Sequence, residues 1–173
     1  MKNKYQYKYC SNCGADFEKS SETLYVCPKC DFRIFINPKP AVGVILYNSK
    51  KQILLIKRSY NPGKGMWGLI GGFINPGEEA EDALSREIEE EIGLSIKNFK
   101  LFGSYTGTYL YKNIEYKTID IIYTSVIIDD GKIKLSEEAK QFSFFDIDKI
   151  PLDKIAPDDA KKAITELIRS KLH

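Results

Sequence analysis

The stretch from Gly72 to Leu94 reads Gly72-Phe-Ile-Asn-Pro-Gly-Glu78-Glu-Ala-Glu-Asp-Ala-Leu-Ser-Arg86-Glu87-Ile88-Glu-Glu90-Glu91-Ile-Gly93-Leu94. A glycine-rich turn runs into an acidic segment that another glycine closes. Ala80, Leu84, Ile88 and Ile92 recur at every fourth position, the repeat of one helical face, so the segment is expected as a helix whose apolar stripe lies on a sheet. Asn75, Pro76 and Gly77 make a turn ahead of it. The acidic residues from Glu78 to Asp82 suit the positive end of the helix dipole, and Gly93 is placed to end the helix as its C′ residue. Glu87, Glu90 and Glu91 stand at i, i+3 and i+4, which brings three carboxylates onto one arc. Like charges so close repel, and clustered oxygen ligands suit a hard divalent cation such as Mg²⁺. A solvated acidic helix face is the plainer reading of the same cluster.

Gly72, Glu78, Arg86-Glu87, Glu90-Glu91 and Gly93-Leu94 also stand at the spacing of the Nudix box. On these residues the chain resembles the Nudix hydrolase family. The resemblance implies an α/β fold, the Nudix α/β/α sandwich with a mixed sheet. It implies a pyrophosphatase that cleaves a nucleoside diphosphate linked to another moiety by attack of water on phosphorus. Mg²⁺ or Mn²⁺ is the implied catalytic cofactor, with Glu87, Glu90 and Glu91 as ligands and the Gly71 carbonyl as a further candidate. Arg86 is read as an orienting residue paired with Glu78 or Glu90. The general base is either a glutamate of the box helix or a later one, for which Glu138 is the candidate and Glu137 its rival. Ile70 departs from the family, which usually carries a proline ahead of Gly71-Gly72.

All four cysteines fall near the N-terminus, as Cys10-Ser-Asn-Cys13 and Cys27-Pro-Lys-Cys30. Two CxxC turns can complete a tetrahedral Cys₄ site typical of structural Zn²⁺, with no open position for catalysis. Paired disulfides and a redox CxxC are the competing readings. Between the turns the sizeable apolar residues are Phe17, Leu24, Tyr25 and Val26, too few for an independent core, so metal binding must supply much of the folding energy. Asp31 occupies a position that is often glycine after such a knuckle in zinc ribbons. Asn37-Pro-Lys-Pro40 reads as a connector, giving a zinc ribbon over residues 1–36 and a Nudix domain over 37–173. That order is similar to a family subset that includes NADH diphosphatases and ADP-ribose or FAD pyrophosphatase-like members.

At 173 residues the chain has room for one medium domain and a small appendage. A formal net charge of +2 gives no strong nucleic-acid or anionic-membrane signature. No apolar run reaches bilayer length and no apolar segment follows the N-terminal charges, so a cytoplasmic protein is expected. A small-molecule nucleotide is the expected partner, and a homodimer is compatible with the sequence.

Ala41–Tyr47 and Gln52–Arg58 read as a hairpin, Asn98–Tyr111 and Lys117–Ile128 as strands, Lys132–Leu135 and Gln141–Asp146 as edge strands, and Pro157–Leu172 as an amphipathic helix. Ile119, Ile121 and Tyr123 alternate with Asp120, Ile122 and Thr124, so that strand is expected centrally, covered on both faces. Lys57, Arg58, Trp67, Tyr109 and Tyr111 are the candidate substrate-binding residues, the basic pair for phosphate and the rings for stacking. A solvated strand end and a core tryptophan are the plainer readings of Lys57, Arg58 and Trp67. The expected substrate is ADP-ribose, FAD or NADH-like. Leu94–Ile150 contains no proline, so it lacks the downstream signature of NADH diphosphatases and the proline of many ADP-ribose hydrolases. Tyr111 fits a spacing seen in some diadenosine polyphosphate hydrolases. A nucleoside triphosphate or diadenosine polyphosphate is the alternative substrate, and an inert ligand-sensing or RNA- or protein-binding module is the alternative class.

Overall fold

A computed structural model describes residues 7–112, 114–137 and 139–170, the side chains of Tyr111 and Asp130 lying outside that description. The chain divides into two compact units, Met1–Pro38 and Lys39–His173.

The first unit is a three-stranded antiparallel sheet of β1 (Glu18–Ser21), β2 (Leu24–Val26) and β3 (Arg33–Phe35), in that order. Each CxxC segment is a tight turn closed by its own backbone. Gly14 N–H donates to Cys10 O at 2.8 Å, and Asp31 N–H to Cys27 O at 2.8 Å. The residue that closes each turn has positive φ, +73° at Gly14 and +55° at Asp31. Aspartate tolerates this left-handed region better than most residues, which explains how Asp31 stands where glycine is common. Tyr25 is buried under Phe17, with ring centroids 6.3 Å apart and nearly perpendicular.

The second unit is built on one mixed sheet. Its strands are β4 (Lys39–Tyr47), β5 (Ile53–Arg58), β6 (Trp67–Gly68), β7 (Ile70–Phe73), β8 (Lys100–Tyr111), β9 (Ile114–Val126) and β10 (Ala139–Phe145). The main path runs β10-β5-β4-β9-β8, with β6 on β5 and β7 on β4. Strands β4 and β9 pair in parallel at the centre and the other pairs are antiparallel. Parallel strands covered on both faces have little use for polar alternation, and Ala41–Leu46 of β4 is buried throughout.

Two helices cover the two faces. Helix α1 (Ala80–Ile92) buries Ala83, Leu84, Ile88 and Ile92 against Val42, Val44, Leu46, Leu54 and Ile56. Helix α2 (Asp158–Ser170) buries Ala160, Ala163, Ile164 and Leu167 against Ile45, Ile53, Leu55 and Ile122. Burying each Leu or Ile contributes about 1.5–3 kcal/mol, so each helix is held by its stripe. Gly93 ends α1 with φ +68°, its N–H donating to Glu89 O at 3.0 Å, as the sequence implies.

The expected edge strand Lys132–Leu135 is absent. A single 3-10 turn spans Asp130–Lys132, and the following loop gives its backbone to α1 instead of to a sheet. Lys134 N–H donates to Ile92 O at 2.9 Å and Ser136 N–H to Glu91 O at 3.0 Å. These carbonyls are among those that every helix C-terminus leaves unpaired, and meeting them draws the loop onto the end of α1.

Candidate functional site

Helix α1 carries its acidic arc along the edge of β7. Arg86 lies in the middle of it. Its Nε and Nη2 grip Glu78 at 2.8 and 2.9 Å, Nη1 reaches Glu87 at 2.6 Å and Glu90 at 3.1 Å, and Nη2 also donates to Phe73 O at 3.1 Å. One guanidinium therefore joins the turn, the strand end and two carboxylates, a task suited to its planar fork. The guanidinium and the Asn75 N–H, which donates at 2.9 Å, hold the Glu78 carboxyl down at about 2. The same carboxylates push the Arg86 guanidinium up. Arg86 thus pairs with both Glu78 and Glu90.

Glu91 points inward and is 5% exposed. Its Oε1 accepts the Gly71 N–H at 3.2 Å. Gly71 and Gly72 are small for distinct reasons. A Cβ on Gly71 would overlap the Val42 carbonyl of β4, and a Cβ on Gly72 would overlap the Glu87 carboxylate. The glycine pair lets β7 lie on β4 while the carboxylates of α1 lie on β7.

These groups open onto a cleft of about 460 Å³ lined by Gly71, Gly72, Arg86, Glu87, Glu90 and Glu91 at one end. Arg58, Ser59, Thr118, Asp120, Asp159 and Ala160 line it toward α2. Asp120 of β9 and Asp159 in the first turn of α2 form an acid pair there. Burial, then the charge of Asp159, push the Asp120 carboxyl up to about 7. Burial also raises Asp159, while the N–H groups of Asp159 and Ala160 offset part of that rise. Asp120 Oδ2 and Ser59 Oγ are buried without a hydrogen-bond partner among the described residues. Gly107 opposite admits Asp159, since a Cβ there would come within 2.6 Å of both Asp159 Oδ1 and Thr118 Oγ1. Sequence reading did not single out the pair. Asp120 in an otherwise apolar stretch of strand is the one signal that marks it.

The candidate substrate residues separate. Arg58 and Tyr109 line the cleft, whereas Lys57 and Trp67 do not. Trp67 packs edge-on against Phe145 at 5.1 Å, and Lys57 Nζ lies over the Trp67 ring at 5.6 Å. Lys57 follows Ile53 and Leu55 on the α2 side of β5, and its pairing with Trp67 on β6 turns it to that ring, away from the glutamates. Tyr111 closes β8, but its side chain lies outside the described residues, as does Glu138 entirely. Glu137 is described and exposed, on the loop tied to the end of α1.

In the first unit, Cys10 Sγ lies 3.7 Å from Cys30 Sγ, and Cys13 Sγ lies 3.5 Å from Cys27 Sγ. All four sulfur atoms fall within 4.8 Å of one another. Zn–S bonds of ~2.3 Å in a tetrahedron require sulfur separations of about 3.8 Å, so the cysteines fit a zinc ion. The Asn12 side-chain amide at 3.6 Å, with a backbone N–H of Phe32, draws the Cys30 thiol down to about 6 and favours the thiolate. Among the described residues no other acidic, Cys or His group converges so tightly. The box carboxylates are instead spread around Arg86. Their donor set of carboxylates beside a backbone turn is of the oxygen type that a hard cation takes.

Comparison with known proteins agrees with this geometry. The NUDIX domain family matches residues 37–167. An ADP-ribose pyrophosphatase of Methanocaldococcus jannaschii is 38% identical over 140 residues, covering 81% of this chain and 79% of that protein. The NAD-capped RNA hydrolase NudC of Pseudomonas fluorescens is 27% identical over 150 residues, covering 86% of this chain and 52% of that protein. The chain thus spans about half the length of that relative. Among solved structures, a NUDIX hydrolase from Nitrosomonas europaea superposes with a TM-score of 0.67 at 25% identity, covering 96% of this chain and 93% of that one. The fold, the box and these relatives together place the chain in the Nudix hydrolase family.

Proposed function

We propose that the chain hydrolyses the pyrophosphate bond of a nucleoside diphosphate joined to a second moiety, with ADP-ribose as the representative substrate. The observation that carries the reading is that Glu87, Glu90, Glu91 and Gly71 line one open cleft, with Arg86 holding Glu87 and Glu90 and the Gly71 N–H holding Glu91. The 38% identical relative named an ADP-ribose pyrophosphatase supports the choice of substrate.

Glu87, Glu90 and Glu91, with the Gly71 carbonyl, would hold Mg²⁺ or Mn²⁺, and Cys10, Cys13, Cys27 and Cys30 would hold structural Zn²⁺. A divalent cation in the cleft supplies neutralisation of phosphoryl charge and activation of water. The protein supplies placement. Arg86 fixes the arc of carboxylates, Glu91 is locked by the Gly71 N–H, and the glycine turn leaves room for a diphosphate to approach the backbone. Arg58 provides a cation at the cleft wall for phosphate. With a cation held among the glutamates, the diphosphate is favoured there over the acid pair at the α2 end, which offers it no positive charge. Proton removal falls to a box glutamate, to Glu138 or to its rival Glu137.

The test is phosphate release from a substrate panel with Mg²⁺ or Mn²⁺ and an added phosphatase. Members are ADP-ribose, FAD, NADH, a diadenosine polyphosphate and a nucleoside triphosphate. ADP-ribose is expected to be cleaved best. Preference for the triphosphate would reject the substrate, and no release from any member would favour an inert sensor.

A further inference from the structure

The α2 end of the cleft is a polar pocket that chemistry at the glutamates leaves unused. Thr118, Asp120 and Ile122 alternate along one face of β9, and Ile122 is buried against Ala160, Ala163 and Ile164 of α2. That row turns from apolar to polar where α2 begins. Gly107 pairs with Thr118 across β8 and β9, and its missing side chain leaves the space that Asp159 enters. Thr118 and Asp159 are 6% and 5% exposed, and Ser59, from the loop after β5, lines the same cleft at 6%.

The pocket is rich in acceptors. The two carboxyls are hydrogen-bonded to each other and Thr118 to Asp120, while the N–H groups of Asp159 and Ala160 meet Asp159. Asp120 Oδ2 and Ser59 Oγ have no partner among the described residues, and leaving a buried polar atom unpaired is costly. The charges that act on the pair are themselves acidic, Asp159 on Asp120 and Asp158 on Asp159, so an anionic group is refused. A neutral group that brings several hydroxyls satisfies both orphan atoms. Carboxylates hold ribose hydroxyls in dinucleotide sites by the same chemistry. Elsewhere on the cleft wall Phe73 and Tyr109 meet edge-on at 5.5 Å, presenting rings where the α2 end presents oxygens.

We propose that Asp120, Asp159, Thr118 and Ser59 form the subsite for the sugar that the diphosphate joins to the nucleoside, with Asp120 Oδ2 accepting from one of its hydroxyls and Ser59 Oγ pairing with another. The assignment rests on the pyrophosphatase reading for the position of the diphosphate at the glutamates. Of the two groups that flank the diphosphate, the distal pentose carries the more hydroxyls and no base. The subsite therefore selects sugar-linked diphosphates over nucleoside triphosphates, whose terminal phosphate would meet the acid pair.

The test is calorimetric binding of methylene-bridged ADP-ribose, which resists hydrolysis, to the full-length protein with Mg²⁺. Wild type is expected to bind it at least about ten-fold more tightly than the analogue whose distal pentose lacks its 2- and 3-hydroxyls. Removing the 2-hydroxyl of the adenosine ribose instead is expected to change little. Asp120→Asn and Ser59→Ala are expected to weaken binding of the parent compound and to leave that of the distal deoxy analogue unchanged, a pattern that general loss of structure would not produce. Equal affinities of wild type for the parent and the distal deoxy analogue, a ten-fold loss at the adenosine hydroxyl instead, or one Mn²⁺ fewer bound by Asp120→Asn than by wild type would overturn the subsite. If ADP-ribose is cleaved but the distal hydroxyls make no difference, only the subsite fails. If those hydroxyls are read and nothing is cleaved, only the pyrophosphatase reading fails.

Discussion

The backbone N–H of Gly71 donates to Glu91 Oε1 at 3.2 Å, joining the buried carboxylate of the box helix to a turn that β4 holds from the other side. Position 71 has no room for a side chain, because a Cβ would overlap the Val42 carbonyl oxygen. Backbone cannot yield as a flexible side chain can. Gly71→Ala is expected to lower stability by about 2 kcal/mol, read as a lower urea midpoint at unchanged slope, and to reduce turnover. An alanine variant as stable as wild type would contradict this packing.

Arg86 acts through its fork more than through its charge. Arg86→Lys keeps the cation but cannot grip Glu78 at two points while reaching Glu87 and Glu90. Loss of carboxylate placement is expected to lower kcat by about 100-fold, with an unchanged circular dichroism spectrum. Glu78 adds a test by pH. Its carboxyl lies near 2 in the folded chain against ~4.3 for a free glutamate. Its stabilising contribution is therefore present above ~4.3 and lost as pH falls toward 2. Glu78→Gln is expected to flatten that acid limb of the stability profile, and an unaltered limb would contradict the pairing.

The acid pair has the opposite sign. Asp120 is raised to about 7 against ~3.9 in an unfolded chain, so the folded state holds the extra proton. Stability from this group is present below ~3.9 and lost as pH rises toward 7. Asp120→Asn is expected to remove that decline and to be the more stable protein at pH 8, by thermal denaturation. Parallel pH profiles for variant and wild type would show that the pair does not share a proton.

The four sulfur atoms make a quantitative statement about metal content. One zinc per chain is expected by elemental analysis, and Cys27→Ser, which removes a buried sulfur, is expected to hold none. Chelation should also abolish the near-ultraviolet signal of Tyr25, whose burial in so small a unit depends on the closed turns. A chain that lacks zinc yet keeps that signal would contradict the structural role.

The parts of the fold legible in the sequence are those set by local periodicity. Leu84, Ile88 and Ile92 repeat on one helical face, and that face is buried. The i, i+4 spacing of Arg86 and Glu90 likewise foretells their ion pair. Features set by distant segments were not legible. Lys132–Leu135 has a strand-like composition, yet the open carbonyls at the end of α1 claim its backbone. Trp67 and Lys57 carry the chemistry of a binding site, but Phe145 on β10 sets where the indole lies. Asp120 acquires its character only when α2 brings Asp159 against it, and Phe73 meets Tyr109 only through the register of β7, β4, β9 and β8.

The central claim is that the box carboxylates drive pyrophosphate hydrolysis, and Glu91→Gln tests it most directly because it keeps the size of the side chain and removes its charge. With ADP-ribose and Mg²⁺, wild type is expected to yield AMP and ribose 5-phosphate. The variant is expected to fall by about 1,000-fold while melting as wild type does. A folded Glu91→Gln protein that retains near wild-type turnover would contradict the account.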